Sequence, residues 1–308
     1  MSRGFVTLVG LLGVSGVLVA SSSRAQTLEP RAYSNAPVGL NFLIAGYGYS
    51  QGEVLPDPAL AVEDANAEIH GAVAGYARTL DFWGKSGKVA VILPYAWFSG
   101  SATFAGTGVE RTRVISGFAD PSVSVSINFL GAPALGLREF MQYRQKTIVG
   151  ASLRVSGPFS QYDPARLVNI GTNRWSFKPE LGVSHTIGPW ILEGDAAVIF
   201  LTDNDNFFGG RTREQDPIYA FQFHSIYNFP RGLWAAVDAT YYTGGRSTVD
   251  GVEKNDELSS WRAGATLAIP LSRRTSLKFY GSTGVLTRTG SDFDAVGVAY
   301  QYRWGGGI

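Results

Sequence analysis

The stretch from Asn173 to Trp190, NRWSFKPELGVSHTIGPW, leaves the chain few ways to fold. Taken every second residue, it separates into Trp175, Phe177, Pro179, Leu181, Val183, His185 and Ile187 on one side, and Ser176, Lys178, Glu180, Gly182, Ser184 and Thr186 on the other. Successive side chains of a strand point to opposite faces, so this is a strand with one apolar and one polar face. Its length suits a tilted strand that crosses a bilayer in roughly ten residues. Gly188-Pro189 then turns the chain back into WILEGDAAVIF, which alternates again.

The same period of two recurs along the chain. It predicts strands at Val38–Ser50, Ala67–Leu80, Lys88–Phe98, Ile115–Phe129, Lys146–Ser156, Trp175–Ile187, Trp190–Leu201, Ile218–Phe229, Leu233–Tyr242, Trp261–Leu271, Ser276–Leu286 and Asp294–Trp304. The links between them alternate in length. QGEVLPDPALAVEDAN, SGPFSQYDPARLVNIGTN and TDNDNFFGGRTREQDP are long and polar, whereas Gly188-Pro189, Pro230-Arg231-Gly232 and the SRR around Arg273 are short. An outer-membrane barrel has short periplasmic turns and long outside loops, and a soluble sandwich has no reason to alternate them. One long link, GAPALGLREFMQYRQ, falls where a short one is expected and has room for a turn of helix. The fold class is therefore all-β, a transmembrane up-and-down antiparallel β-barrel of about 12 strands.

Composition is compatible with that reading. Charged residues are 17% and aromatics 13%, with 38 glycines, while mean hydropathy is only +0.03. A barrel hides its apolar residues by alternation, so an average mean hydropathy does not exclude a membrane protein. With no cysteine, disulfides and thiolate metal sites are excluded. At the N-terminus, Arg3 precedes an uncharged run from Phe5 to Ala20, and Ser23 and Ala25 stand at the positions a signal peptidase reads. Residues 1–25 read as a signal peptide and 26–308 as the barrel domain, exported to the outer membrane of a Gram-negative bacterium. Gln26 to Ala36 reads as a short periplasmic arm. Cleavage removes Arg3 and Arg24, which takes the net charge from +1 to about −1 and gives no hint of nucleic acid.

Aromatics mark both strand ends. Trp97, Trp175 and Trp261 lie beside long links, and Trp190 and Trp304 beside the short-turn end, as two interfacial girdles require. Reversed parity gives a polar lumen whose charged candidates are Arg154, Lys178, Glu180, Glu193, Asp195, His224, Asp238, Arg262 and Arg303, together with Asp120, Lys146 and Lys278. Both signs are present, which disfavours a strongly ion-selective pore. The three histidines, His70, His185 and His224, form no metal-ligand pair, no cofactor cradle follows a strand, and outward His185 has Val183 and Ile187 as its same-face neighbours. No catalytic, metal or cofactor site is expected.

Several stretches resemble the MetA-pathway phenol-degradation family of outer-membrane barrels: YARTLDFWGKSGKVAVILPYAW, GFADPSVSVSINFLGAPAL, YDPARLVNIGTNRWSFKPELGVS, REQDPIYAFQ and FDAVGVAYQYRWG. The resemblance implies a channel for small hydrophobic or aromatic compounds, with outer-membrane lipid and a small permeant as partners. The alternative is a structural or interaction barrel with a blocked lumen whose outer loops bind a partner. Oligomeric state and permeant are left open.

Turn chemistry also fixes two registers. A two-residue Gly188-Pro189 turn sets Ser184 opposite Glu193 and Gly182 opposite Asp195, with Lys178 and Arg154 as the cations for the Glu180 and Asp195 carboxylates. A three-residue Pro230-Arg231-Gly232 loop sets His224 opposite Asp238 and Asn228 opposite Trp234. The export reading carries its own test. Intact-mass measurement on protein from outer membranes should return residues 26–308, and a mass that includes residues 1–25 would contradict the signal peptide.

Overall fold

The computed structural model describes residues 29–53, 62–104, 108, 110–289 and 292–308. The signal peptide and its cleavage site lie outside them. The strands are β1 (Leu40–Glu53), β2 (Val62–Phe82), β3 (Lys85–Phe104), β4 (Glu110–Phe118), β5 (Ser122–Leu130), β6 (Thr147–Ser156), β7 (Ser176–Ile187), β8 (Trp190–Leu201), β9 (Asn204–Phe207), β10 (Arg211–Gln215), β11 (Ile218–Asn228), β12 (Trp234–Gly244), β13 (Ser247–Val249), β14 (Val252–Glu253), β15 (Leu258–Pro270), β16 (Thr275–Thr289) and β17 (Asp292–Gly305). Neighbours are antiparallel, and β1 pairs with both β2 and β17 while β2 pairs on to β3, so the sheet closes into a 12-stranded barrel. Closure is what lipid demands, because an open edge would leave backbone groups without water or partners.

Eleven of the expected strands appear as single strands, and the twelfth is β4 and β5 together. Both pair with β3, and the register shifts by one residue across Ala119-Asp120-Pro121. Pro121 has no N–H for the ladder, and such a bulge re-aims a side chain. Here the side chain is Asp120. It accepts from the N–H and hydroxyl of Thr172 (3.1 and 2.9 Å) and from Ser160, and so ties the 157–175 loop across the long-loop end. Two more features were not foreseen. Links 202–217 and 245–257 build a separate four-stranded sheet, β14-β13-β10-β9, at the same end. Lys146, expected inside, precedes β6 and is exposed, because the strand starts one residue later. The long link at the opposite end does hold one helical turn, α1 (Leu137–Phe140).

Outward residues form the apolar belt, with Leu181 61%, Phe223 53%, Val237 67% and Val296 58% exposed. Aromatic contacts concentrate at its rims: Trp190 against Tyr227 at 4.8 Å and Tyr302 against Trp304 at 5.6 Å near the short turns, and Tyr241 against Trp261 at 4.8 Å near the long loops. Trp83, 91% exposed in the β2–β3 turn, adds to the first rim. Inside, apolar clusters sit towards both ends, for example Ile191, Ile226 and Trp234 at the short-turn end and Ile199, Ile218 and Tyr242 at the other. The charged residues lie between them.

Depth dependence tests this placement. Leu181→Arg, midway along β7, should cost about 2–4 kcal/mol in reversible unfolding from lipid, and Trp83→Arg at the rim no more than about 1. Equal costs would put Leu181 outside the bilayer.

Candidate functional site

The two turn registers stand as the sequence sets them. Gly182 pairs with Asp195 and Ser184 with Glu193 across β7 and β8, and His224 pairs with Asp238 across β11 and β12. Arg231 and Gly232 take the left-handed conformations (φ 63° and 86°) that close the three-residue loop. Lys178, Glu180, Glu193, Asp195, His224, Asp238 and Arg262 are all buried in the interior. His224 lies between two carboxylates, with Nδ1 2.6 Å from Asp238 Oδ1 and Nε2 3.7 Å from Asp195 Oδ2, while Thr266 donates to the other oxygen of Asp238 at 3.1 Å. Arg262 leaves this belt for the long-loop end, where it stacks 3.8 Å over the Phe293 ring and donates to the Phe293 carbonyl and the Ser282 hydroxyl, each at 3.0 Å. Arg303 is at the opposite end, donating to the Arg273 carbonyl at 2.8 Å.

What fills the middle of the barrel is the segment expected to be a periplasmic arm. Residues 29–39 lie within the lumen, and Pro30, Arg31 and Tyr33 to Pro37 are buried. The reading from sequence is corrected for a physical reason: the arm carries groups for which the wall has partners. Glu29 takes Arg154 in an ion pair at 2.5 Å. Arg154 is therefore not the cation of Glu180, whose partner is Lys178 at 2.9 Å. The Arg31 backbone N–H donates to Glu193 at 2.6 Å, and its guanidinium reaches Asn228 and stacks 5.0 Å over Trp234. The Ala32 carbonyl accepts from Lys88 and that of Tyr33 from Asn128 at 3.0 Å. The Tyr33 hydroxyl donates to Glu180 at 3.0 Å. At the exit, Val38 N–H donates to the Leu135 carbonyl at 2.9 Å and Gly39 N–H to that of Thr79 at 3.0 Å, which leads the chain into β1.

Both signs meet at this contact, with Glu29, Glu180 and Glu193 among the acids and Arg31, Lys88, Arg154 and Lys178 among the bases. Burial by itself would raise the Glu29 carboxyl, but Arg154, Lys178 and Lys278 together outweigh it and hold the group below its ordinary value. A carboxyl lowered in this way contributes fully above the unfolded pKa of about 4.3, and its contribution is lost as pH falls through the lowered value. The anchor is thus intact at neutral pH.

Beside the segment lies a cleft with about 630 Å³ of atom-free space, including the part open to solvent. Small side chains, Ala77, Ala90, Ser124, Ser126 and Ser152, make the room, and Lys88, Arg154, Lys178 and Glu180 supply the charge. Sequence parity identifies Arg154, Lys178 and Glu180 in this wall. It does not identify Glu29, Arg31, Tyr33 or Lys88, and the one available signal is a pair of inward glycines, Gly150 and Gly182. These are register partners, and a Cβ at either would meet the Tyr33 ring at 2.4 and 2.0 Å.

A family profile described as "Putative MetA-pathway of phenol degradation" matches residues 48–304. No curated protein matches the sequence. Among solved structures, an outer membrane channel from Pseudomonas putida F1 is similar with a TM-score of 0.76 at 18% identity, covering 90% of this chain and 100% of that one. The transport unit of the autotransporter AIDA-I from Escherichia coli gives a TM-score of 0.51 at 8% identity over 88% of this chain and 92% of that one. At these identities the likeness is one of fold.

The Glu29–Arg154 pair can be tested within the lumen. Arg154→Met strands a buried carboxylate and should loosen the segment by on the order of 2–3 kcal/mol, below the roughly 3–5 of a fully buried pair, because 21% of the Arg154 side chain is exposed. Hydrogen exchange of the Arg31–Asn35 amides should accelerate accordingly, and Glu29→Leu combined with Arg154→Met should recover most of the protection. Unchanged exchange in the single variant would mean the pair does not hold the segment.

Proposed function

The chain belongs to the family described as "Putative MetA-pathway of phenol degradation", and from that membership we propose that it is an outer-membrane channel admitting small hydrophobic or aromatic compounds. The long loops then face outward and the short turns face the periplasm, with residues 1–25 removed on export. The observation that carries the reading is how the lumen is closed. Among the described residues it is filled by residues 29–39, which are held through side-chain pairs and hydrogen bonds and form no β-ladder with the wall. Such a segment can leave while the wall stays closed. A permeant would then pass the belt formed by Lys178, Glu180, Glu193, Asp195, His224 and Asp238. The belt's mixed signs suit a weakly charged molecule better than an ion, and its grouping of charges into pairs suits a conduit better than a reaction centre.

The filled lumen also supports a second reading, a structural barrel whose outer four-stranded sheet and loops bind a partner. Planar-bilayer conductance separates the two. Wild-type protein should conduct weakly, and a variant lacking residues 29–36 should show much larger steps. If the deletion variant folds and remains as tight as wild type, the channel reading fails and the structural one stands.

A further inference from the structure

The seat of Tyr33 is shaped for more than a peptide side chain. Gly150 and Gly182, paired across β6 and β7, leave a notch with no Cβ on either side, and the Tyr33 ring lies in it. The hydroxyl donates to Glu180 Oε1 at 3.0 Å, while Lys178 holds the other oxygen at 2.9 Å. Burial, with Glu180 and Asp195 nearby, pushes the Tyr33 phenol up, so the group in the notch is a neutral donor. Tyr33 Cε2, the ring carbon next to the one bearing the hydroxyl, stands 2.0 Å from the point that a Cβ of residue 182 would occupy, and Asp195 Oδ1 stands 2.1 Å from the same point. Asp195 is 7% exposed, and among the described residues its Oδ1 has no hydrogen-bond partner. A buried acceptor of this kind is costly to leave unmatched.

The side chain of tyrosine is a para-alkylated phenol, and it is delivered here by a detachable segment beside an open cleft. We propose that the Gly150–Gly182 notch is a binding site for neutral phenols, that rings with a second, ortho hydroxyl bind it best, and that Tyr33 occupies it as an internal competitor. One hydroxyl would donate to Glu180 as Tyr33 does, and the ortho hydroxyl would meet Asp195 Oδ1. The small residues Ala90, Ser124, Ser126 and Ser152 give the approach from the cleft. A phenolate is disfavoured because the Glu180 acceptor is a carboxylate, ion-paired with Lys178. The inference rests on the channel reading, for it makes the permeant the signal that releases the segment.

The absence of native cysteine allows a direct test. In the full-length protein, reconstituted in lipid, Ser34→Cys places the chain's single thiol at a buried position of the segment. Its reaction with a small, water-soluble thiol reagent reports release. A ligand that binds only the released form, at about ten times its dissociation constant for that form, raises the released fraction about tenfold. Catechol should accelerate labelling at the lowest concentration, phenol and resorcinol at higher ones, and toluene not at all. Gly150→Ala in the same background should label rapidly without ligand and lose the response to catechol. Tyr33→Ala should bind catechol more tightly than wild type in equilibrium dialysis, since the competitor is gone. Labelling that phenol and catechol leave unchanged, an equal response to toluene, or an unchanged catechol affinity in Tyr33→Ala would overturn the site. If the deletion variant conducts and the phenols have no effect, only the notch assignment falls. If the phenols release the segment and the deletion variant does not conduct, only the channel reading falls.

Discussion

Inside a bilayer no water reaches an unpaired backbone N–H or carbonyl, and each such group left unmatched costs several kcal/mol. The rest of this molecule follows from that constraint. A chain built of alternating strands can satisfy it only by closing the sheet, and closure gives every second side chain an interior. The interior then poses its own problem, because the inward residues include Lys178, Glu180, Glu193, Asp195, His224, Asp238 and Lys278, which are expensive to bury unpaired. Some pair with one another across the wall. Others are met by residues 29–36, which bring one carboxylate, one guanidinium, one phenol and their backbone groups to the middle of the barrel.

The two ends are narrowed by different means. At the long-loop end, the bulge at Asp120 pulls the 157–175 loop inward through hydrogen bonds, and the stack of Arg262 on Phe293 packs beside it. At the short-turn end, Trp234, Ile191 and Ile226 form an apolar floor under Arg31. The middle is occupied by residues 29–36, which are not part of the wall. Partners on the wall and an occupant held by side-chain contacts are what the proposed gate would use as its two-state element.

Much of this was legible in the sequence, and for a clear reason. A period of two survives whatever else a strand does, so the strands, their inward and outward faces and the alternation of long and short links could all be read from it. The turns carried the registers: Gly188-Pro189 and Pro230-Arg231-Gly232 were enough to place Glu193 opposite Ser184 and His224 opposite Asp238. The bulge inside the expected Ile115–Phe129 strand is not marked by the period of two, which runs on through Asp120-Pro121. The destination of residues 29–36 was not legible. That segment has no periodicity, and its partners, from Lys88 to Asn228, lie on strands far along the chain. Strand parity offers Arg154 only wall carboxylates such as Glu180, whereas its carboxylate comes from Glu29. The sheet formed by β9, β10, β13 and β14 was missed for a similar reason, since its strands are two to five residues long and lie within links rich in Gly, Asp and Asn.

The central claim is that residues 29–36 fill the barrel of the protein in its own membrane. Photocrosslinking addresses it most directly, with p-benzoylphenylalanine in place of Ala32, which lines the cleft. Irradiation of outer membranes should join residue 32 to peptides from β2, β3, β5, β6 and β7, the strands that line the cleft. Crosslinks to periplasmic proteins alone, with none to those strands, would mean that the segment lies outside the barrel and that the lumen is closed by something else.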